Sequence, residues 1–230
     1  MTGNKGFFIT GTDTEIGKTC VSAGVMMALK NQGLSVAGMK PIASGCLRTD
    51  DGLRNDDAQQ LRHETSQFVR YEHVNPYAFE PAIAPHLAAA KAKTSIEFTA
   101  IKSAYDALVK DFPCVVVEGV GGWLVPLNEQ QTVADLAELL ALPIILVVGI
   151  RLGCINHALL TATVITDSGL PFAGWVANRI DAQSECASEI IASIESRLEA
   201  PLLGIVPHLE KMDAQLVADH LKLPGCSPTA

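Results

Sequence analysis

The sequence has neither an excess of positive charge nor closely paired cysteines, and both absences exclude classes of protein. Its 17 lysines and arginines stand against 25 aspartates and glutamates, which gives a formal net charge of −8. A nucleic-acid-binding domain carries a basic patch, so no nucleic-acid partner is expected. The six cysteines are scattered without a Cys-x-x-Cys pair, which argues against a disulfide framework or a zinc site and fits a reducing compartment.

Long apolar runs and targeting signals are also lacking. A membrane-spanning helix needs about 20 consecutive apolar residues, and no run in the sequence approaches that length. The N-terminal stretch MTGNKGFFIT does not have the layout of a signal peptide. We therefore expect a cytoplasmic protein without a membrane partner.

The composition is typical of a folded domain with a large core. Of the 230 residues, 48% are apolar, and no internal repeat, low-complexity tract or linker interrupts the chain. A chain of this length forms one large domain more readily than two small ones. The sequence therefore predicts a single domain over residues 1–230.

Short apolar runs alternate with segments of helical periodicity. Strands are predicted at 6–10, 34–40, 114–119, 143–149, 172–178 and 202–206, and helices at 17–31, 56–63, 95–110, 132–141, 154–168, 184–198 and 211–222. Strands that are apolar nearly throughout and separated by helices indicate an α/β fold, with a mostly parallel central sheet covered by helices on both faces. Residues 44–95, rich in Asp, Asn, Pro and His, break the alternation and are expected to form an insertion over the sheet edge.

The strongest motif follows the first predicted strand in the stretch FFITGTDTEIGKTCVSAG. It resembles the phosphate-binding loop G-x-x-x-x-G-K-[ST], but Gly11 lies six positions before Gly17 instead of five. A strand before it and a helix after it favour phosphate binding by the backbone N–H groups of 14–19, with Lys18 on the β- and γ-phosphates and Thr19 on Mg²⁺. The alternative is a glycine-rich turn with a helix cap.

Polar side chains stand where the other predicted strands end. The second strand ends at Lys40, the third at Glu118, the fifth at Asn178 and the sixth at Pro207 and His208. Ligands of open parallel sheets bind outside the carboxyl ends of the strands, so these groups are expected to converge beside the phosphate loop.

Two carboxylates are candidates for the metal. Glu118 closes the apolar run CVVVEG in the manner of a Walker-B acid, although an acid that caps the following loop is the alternative. Asp57 fits a second metal ligand and an ordinary helix-start residue equally well, with Asn55 or Asp56 as the expected N-cap. Thr19, Asp57 and Glu118 would suffice for an ion that phosphate oxygens also hold.

Two further stretches carry candidate binding groups. Lys40 opens a Pro-, Ser- and Gly-containing loop and fits a crevice residue or a surface lysine equally well, with Ser44 nearby as a hydroxyl donor. The stretch RLGCINHALL opens a helix whose free N–H groups at 153–156 suit a carboxylate, or form an ordinary turn with Asn156 near the cap. The six histidines are unclustered and none is assigned to a metal; His157 is expected to be a local helix-start residue.

Several blocks together resemble the dethiobiotin synthetase family, from about Phe7 to about Leu209. They are GTDTEIGKT, KPIASG, GLRNDDA, VNPY, VEGVGGWLVPL, ILVVGIRLGCINHALLT and GWVANRID. The resemblance implies a homodimer with a seven-stranded, mostly parallel sheet. It also implies a cyclo-ligase of biotin biosynthesis that joins CO₂ to 7,8-diaminononanoate at the expense of ATP, through a carbamate and a carbamic-phosphoric mixed anhydride.

The resemblance also implies roles for individual residues. Lys18 and Lys40 are implied as catalytic cations, and Thr19, Asp57 and Glu118 as the ligands of Mg²⁺. The implied nucleotide-binding residues are Thr14, Glu15, Ile16, Gly17, Lys18, Thr19, Cys20, Asp57, Glu118, Gly119, Val120, Gly121, Asn178, Arg179, Pro207, His208 and Leu209. The implied substrate-binding residues are Thr14, Ser44, Gly153, Cys154, Ile155 and Asn156, the last four acting across the dimer interface.

The phosphate loop contains two acids, which is unusual where a polyanion binds. Asp13 is expected to hydrogen-bond its own turn, as aspartates do. The implied co-substrate is a diamine, cationic until it reacts, so Glu15 and Glu118 could offset its charge outside the phosphate-binding backbone. The sequence leaves the role of Glu15 open.

Two rival classes share the phosphate loop. Partition and cell-division ATPases carry an extra lysine early in it, whereas residues 10–14 contain none, and 211–222 lacks the character of a basic membrane-targeting helix. Amidating enzymes such as cobyrinate amidases normally carry an added glutamine-hydrolysing domain, for which 230 residues leave no room.

Overall fold

The computed structural model describes residues 6–184 and 186–224. Three expectations involve residues outside these ranges: the lack of a signal peptide at the first residues, the scatter of Cys226, and position 185 of the predicted helix 184–198. Within the described ranges, no helix combines the length and apolar character needed to cross a membrane.

Six strands form the central sheet in the order β10-β9-β8-β1-β7-β2, and every pairing in it is parallel. The strands are β1 Gly6–Gly11, β2 Val36–Met39, β3 Ile42–Ala43, β4 Leu47–Thr49, β5 Gly52–Arg54, β6 Tyr77–Ala78, β7 Cys114–Glu118, β8 Ile144–Gly149, β9 Phe172–Asn178 and β10 Leu202–Val206. The six predicted strands are the six of the central sheet, which confirms the parallel α/β fold.

Helices cover both faces of this sheet. They are α1 Lys18–Asn31, α2 Asp56–Glu64, α3 Tyr71–Val74, α4 Pro85–Lys91, α5 Phe98–Asp111, α6 Val133–Leu140, α7 Cys154–Asp167, α8 Ala187–Glu195 and α9 Ala214–Asp219. Successive residues of a strand point to opposite faces, so Phe7 and Ile9 pack with Val21 of α1, whereas Phe8 packs in a second cluster with Ile101 of α5. The core therefore consists of two apolar layers that fix the strand ends rigidly.

Within the described residues the central sheet has six strands, so the seven strands implied by the resemblance are not found. Gly204 of β10 forms an isolated antiparallel bridge with Leu221, and Lys222 N donates to Leu203 O at 2.7 Å. The chain after α9 thus runs beside β10 at the edge of the sheet, where its described residues form only an isolated bridge and no further strand.

The predicted insertion contains more structure than its sequence pattern indicates. Only the helix at 56–63 was predicted within it, and α2 confirms that helix. The elements β4 to β6, α3 and α4 also lie there, each two to seven residues long. The segment joins the sheet edge directly, since Lys40 N, just after β2, donates to Val74 O at 2.8 Å.

Candidate active site

The phosphate loop joins β1 to α1 and is held by the end of β9. Gly17 has φ 83°, the left-handed conformation that favours glycine. A Cβ at Gly17 would lie 2.1 Å from Asn178 Nδ2, which itself donates to the Ile16 carbonyl at 2.8 Å. Glycine is therefore required for its backbone angle and for this close approach. Glu15 also has positive φ, 57°, and is exposed on the cleft side of the loop.

Asp13 holds the loop together from within. Its Oδ1 accepts from the backbone N of Thr14 at 2.8 Å, and its carbonyl accepts from Lys18 Nζ at 2.6 Å. The expectation that Asp13 hydrogen-bonds its own turn is confirmed. Its other carboxylate oxygen accepts from the guanidinium of Arg151, a contact that the sequence did not reveal because 138 positions separate the two residues.

Four side chains from different elements meet at the strand ends. Lys40 Nζ, after β2, donates to Glu118 Oε1 at 2.6 Å and to Asp57 Oδ2 at 3.1 Å. Thr19 Oγ1, in the first turn of α1, donates to the same Glu118 oxygen at 2.9 Å. Lys40 is 4% exposed and Glu118 1% exposed, so Lys40 is not a surface lysine.

Burial and neighbouring charges shift the pKa values of this cluster. Burial, followed by the nearby positive charge of Lys40, lowers the pKa of Lys18 from 10.5 to about 8. Burial alone would lower the pKa of Lys40, but the carboxylates of Glu118 and Asp57 outweigh it and raise that pKa above its ordinary value. Burial would likewise raise the pKa of Asp57, yet the Lys40 charge holds it below its usual range. Lys40 and Asp57 therefore form an ionised pair.

The same side chains fit a divalent cation that binds together with phosphate. Glu118 Oε2 is buried without a hydrogen-bond partner among the described residues, which leaves a carboxylate oxygen for another ligand. No group of three or more His, Cys, Asp or Glu side chains in those residues is arranged to hold a metal alone. Mg²⁺ usually takes one or two carboxylates and completes its shell with phosphate oxygens and water, which matches Thr19, Asp57 and Glu118.

A cleft of about 1140 Å³ opens above this cluster. It brings together seventeen of the predicted site residues: Thr14, Glu15, Gly17, Lys18, Thr19, Cys20, Lys40, Ser44, Asp57, Glu118, Val120, Gly121, Asn178, Arg179, Pro207, His208 and Leu209. Ile16 and Gly119 do not line it; they contribute backbone carbonyls that accept from Asn178 and, at 3.5 Å, from Lys40. The Ser44 hydroxyl is buried and has no hydrogen-bond partner among the described residues.

The N-terminus of α7 does not line this cleft. Gly153, with φ 90°, precedes α7, and none of Gly153, Cys154, Ile155 and Asn156 lines the cleft of the same chain. Leu152 next to them is 98% exposed, whereas Cys154 is buried. His157 lies in the first turn of α7, where the sequence predicted it. The segment 153–156 therefore does not share this cleft with the other predicted site residues of the same chain.

Sequence reasoning missed part of the cleft wall. Residues 82–85 from the insertion line it, together with Asn55, Gln60 and Val125. Asn55 was predicted as the possible cap of α2, and its side chain accepts from Ala58 N at 3.1 Å. The small and apolar residues at 82–85 carry no chemical signal, so only their position in the fold reveals them.

The sheet, the phosphate loop and the strand-end carboxylate define a P-loop NTPase. An AAA domain family model matches residues 5–215. Among solved structures, the ParA family ATPase of Chlorobium tepidum has a TM-score of 0.54 at 16% identity and covers 90% of this chain and 86% of that one. MinD of Pyrococcus horikoshii, solved with Mg-ADP, has a TM-score of 0.54 at 17% identity, with coverages of 93% and 84%. These likenesses describe the fold alone.

The chain belongs to the dethiobiotin synthetase family. It is 50% identical over 219 residues to the ATP-dependent dethiobiotin synthetase BioD of Cellvibrio japonicus, with 95% of this chain and 96% of that protein covered. The corresponding protein of Pseudomonas aeruginosa is 52% identical over 220 residues, with coverages of 94% and 96%. That of Aromatoleum aromaticum is 46% identical over 225 residues, with coverages of 98% and 100%. The resemblance noted in the sequence is confirmed.

Proposed function

We propose that this chain, acting as a single domain, converts 7,8-diaminononanoate, CO₂ and ATP into dethiobiotin, ADP and phosphate in biotin biosynthesis. The observation that carries the proposal is the roughly 50% identity, over almost the whole chain, with relatives of that name. The cleft supports it by placing Lys18, Lys40, Asp57 and Glu118 beside a phosphate loop.

The proposed reaction has three steps. One amine of the diamine adds to CO₂ and loses a proton, which gives a carbamate. A carbamate oxygen then attacks the γ-phosphorus of ATP, ADP leaves, and a carbamic-phosphoric anhydride forms. The second amine attacks the carbonyl carbon of the anhydride, phosphate leaves, and the cyclic urea closes with loss of a proton.

The two lysines supply the electrostatic stabilisation of this chemistry. Negative charge develops between the carbamate and the transferring phosphoryl group, and preorganised cations stabilise it without further reorganisation. Lys18 is anchored to the loop carbonyl of Asp13, and Lys40 is anchored between Glu118 and Asp57. Both ammonium groups are therefore fixed before substrate binds.

A magnesium ion is part of the proposal. Thr19, Asp57 and Glu118 would hold it, and when bound it supplies positive charge to the β- and γ-phosphates. Glu118 Oε2, which has no hydrogen-bond partner in the described part of the chain, supports this assignment. The loop residues Thr14 to Cys20 would hold the phosphates, together with the segment from Gly119 to Gly121.

The adenine end of the nucleotide would lie at the ends of β9 and β10. Asn178 uses one amide N–H on the Ile16 carbonyl, which leaves a second N–H and the carbonyl oxygen to contact a base edge. Arg179, Pro207, His208 and Leu209 also line the cleft.

The diamine would be bound by both subunits of a homodimer. Ser44 offers a buried hydroxyl without a partner in the described residues. The N–H groups at 153, 155 and 156 of the second subunit would bind the terminal carboxylate, whereas Cys154 N already donates to Arg151 O at 3.1 Å. Glu15 and Glu118 would offset the charge of the amines, and a cytoplasmic location would supply all three substrates.

A phosphate-release assay with omission controls tests the proposal. The purified protein is expected to release phosphate from ATP only when both diaminononanoate and bicarbonate are present, with one phosphate per dethiobiotin formed. Turnover with ATP alone, stimulated by lipid or DNA, would instead place the chain among the partition and cell-division ATPases. Turnover that depends on glutamine would indicate an amidating enzyme.

A further inference from the structure

The main chain of Lys40 is held on both sides by the last residue of α3 and the residue after it. Its N–H donates to Val74 O at 2.8 Å, and its carbonyl accepts from Asn75 Nδ2 at 2.7 Å. The same Asn75 amide nitrogen donates to Tyr77 O at 3.2 Å. Asn75 is 3% exposed, so its amide has no solvent to replace these partners. A buried amide with satisfied donors fixes the backbone from which the Lys40 side chain leaves.

The side-chain oxygen of Asn75 is linked, through Tyr71 and Asn55, to the turn that carries Asp57, a partner of the Lys40 ammonium. Asn75 Oδ1 accepts from the Tyr71 hydroxyl at 3.0 Å, and that hydroxyl accepts from the backbone N of Asn55 at 2.9 Å. Asn55 caps α2, whose first turn carries Asp57. Asp57 then accepts from Lys40 Nζ at 3.1 Å.

These contacts form a closed circuit, here called the Lys40 ring. It runs from the Lys40 carbonyl through Asn75, Tyr71 and the Asn55–Asp57 turn back to the Lys40 ammonium. The Arg54 guanidinium lies 4.2 Å from the centre of the Tyr71 aromatic ring and fixes its plane. The Tyr71 hydroxyl thus connects Asn75, which binds the Lys40 carbonyl, to the start of α2, which carries Asp57.

We propose that Tyr71 and Asn75 are positioning residues that set the place of the Lys40 ammonium relative to Asp57. A bare helix cap would need only the Asn55 side chain, which already accepts from Ala58 N. The hydroxyl adds a connection to the other side of the cluster. A displacement of about 1 Å at a reacting centre lowers the rate by a large factor. Loss of a hydrogen bond in the Lys40 ring would therefore displace the Lys40 ammonium and lower kcat, although no group that touches substrate is removed. The kinetic part of this proposal rests on the proposed function.

Tyr71→Phe tests the connection made by the Tyr71 hydroxyl, and Tyr77→Phe is the matched control. Both changes delete one phenolic oxygen that accepts a backbone N–H at 2.9 Å, from Asn55 in one case and from Glu97 in the other. Asn75 contacts only the backbone carbonyl of Tyr77, so the control leaves the Lys40 ring intact. Tyr71→Phe also removes the hydrogen bond that the hydroxyl donates to Asn75 Oδ1. Loss of each hydrogen bond corresponds to about a 3- to 10-fold effect, so we expect kcat of Tyr71→Phe to fall at least about 3- to 10-fold, with KM values within about two-fold.

The comparison of the two variants decides the kinetic question. Tyr77→Phe is expected to keep the wild-type kcat, even where its melting temperature falls as much as that of Tyr71→Phe. Equal kcat values in the two variants, or a change confined to KM or to the melting temperature, would overturn the positioning role.

Asn75→Asp supplies a second variant in the same ring. Aspartate keeps an oxygen for the Tyr71 hydroxyl but places an acceptor against the Lys40 carbonyl, so kcat is again expected to fall. Because both residues act through one circuit, the double variant is expected to lose no more than the more damaged single variant. Multiplicative losses would show two independent effects and would contradict a shared ring.

Crystal structures of the two tyrosine variants test the geometry without turnover. In Tyr71→Phe the Lys40 Nζ to Asp57 Oδ2 separation is expected to exceed 3.1 Å, whereas Tyr77→Phe keeps it. If the distance from Lys40 Nζ to Asp57 Oδ2 is unchanged in both variants, the positioning role of the Lys40 ring is contradicted, whatever the kinetic results. If wild-type protein makes no dethiobiotin but the separation changes as expected, the proposed function fails and the ring stands.

Discussion

Lys40 is the residue whose charge is most constrained by the fold. It is buried, and two carboxylates keep it protonated, so a neutral replacement removes a fixed cation from the cluster. Lys40→Gln is expected to lower kcat about 100-fold or more, comparable to the loss of one preorganised donor. Diamine binding, measured calorimetrically without nucleotide, is expected to change little, because the charge that Lys40 stabilises grows in the transition state.

The exposed lysine at 91 offers a control for this substitution. Lys91→Gln removes the same charge from the end of α4, outside the cleft lining, and is expected to leave both kinetic constants unchanged. A near-normal kcat with a raised KM for Lys40→Gln would show that Lys40 only holds substrate.

The two proposed metal carboxylates are expected to respond to the magnesium concentration. Asp57→Asn and Glu118→Gln keep side-chain size but remove one negative charge each, so each is expected to raise the Mg²⁺ concentration for half-maximal activity at least about ten-fold. Titration of phosphate release against Mg²⁺ measures this shift. Circular dichroism is expected to show an intact fold, with Asp51→Asn in the exposed β4–β5 turn as control.

Full activity of Asp57→Asn at limiting Mg²⁺ would show that Asp57 does not bind the metal and is only a residue of the first helical turn. Sequence reasoning left that alternative open, since Asn-Asp-Asp before a helix is typical of a cap. The fold shows that Asn55 provides the cap and that Asp57 contacts Lys40. Contacts between residues 17 or more positions apart have no local signature, which is why sequence alone could not choose.

At the scale of elements, the long strands and helices were predictable and the short ones were not. β9 and β10 have the predicted bounds, and α6 differs from its prediction by one residue at each end. Their apolar periodicity is set by burial against the sheet. The elements β3 and β6 have two residues each and exist because they pair with each other, with Ile42 opposite Tyr77. Such pairing depends on tertiary contacts that no sequence window contains.

The phosphate loop has little tolerance for substitution at Gly17. Gly17→Ala would place a Cβ 2.1 Å from Asn178 Nδ2, so the bond from Asn178 to the Ile16 carbonyl must break or the loop must move. ATP affinity, measured by isothermal titration, is expected to fall at least about ten-fold because the backbone N–H groups lose their alignment. The left-handed backbone adds a stability loss of about 1–2 kcal/mol.

Gly33→Ala separates these two effects. Gly33 has the same φ of +83° after the end of α1, but a Cβ there would meet nothing within 4 Å. This variant is expected to lose similar stability in urea unfolding while keeping wild-type ATP affinity. Equal ATP affinities for the two variants would refute a role for the Gly17–Asn178 approach.

At the scale of the whole molecule, one chain does not present every predicted substrate contact in one place. The cleft collects the phosphate loop, the proposed metal ligands and the proposed nucleotide-binding residues, but the segment 153–156 lies outside it. That division is what a site shared between two subunits requires.

Asn156→Asp tests the carboxylate contact of the proposed dimer. Asn156 is exposed in the first turn of α7, where a negative charge favours the helix dipole, so thermal stability is expected to hold or rise. The same charge repels the diaminononanoate carboxylate, so KM for the diamine is expected to rise about ten-fold or more while KM for ATP stays constant. A rise in KM for ATP alone would place this segment away from the diamine.

Mixing this variant with Lys40→Gln decides whether the contact comes from the partner subunit. In a shared site, a mixed dimer has one site with both substitutions and one site with neither. Random mixing makes half of the dimers mixed, so activity at low diamine is expected to recover to about a quarter of the wild-type value after subunit exchange. If both substitutions act within one chain, each site in every dimer remains defective and no recovery follows. Subunit exchange is measured independently of activity, by testing whether a tagged chain of one variant co-purifies with an untagged chain of the other. Recovery with exchange would establish the interface site, and exchange without recovery would place 153–156 and Lys40 of the same chain in one site.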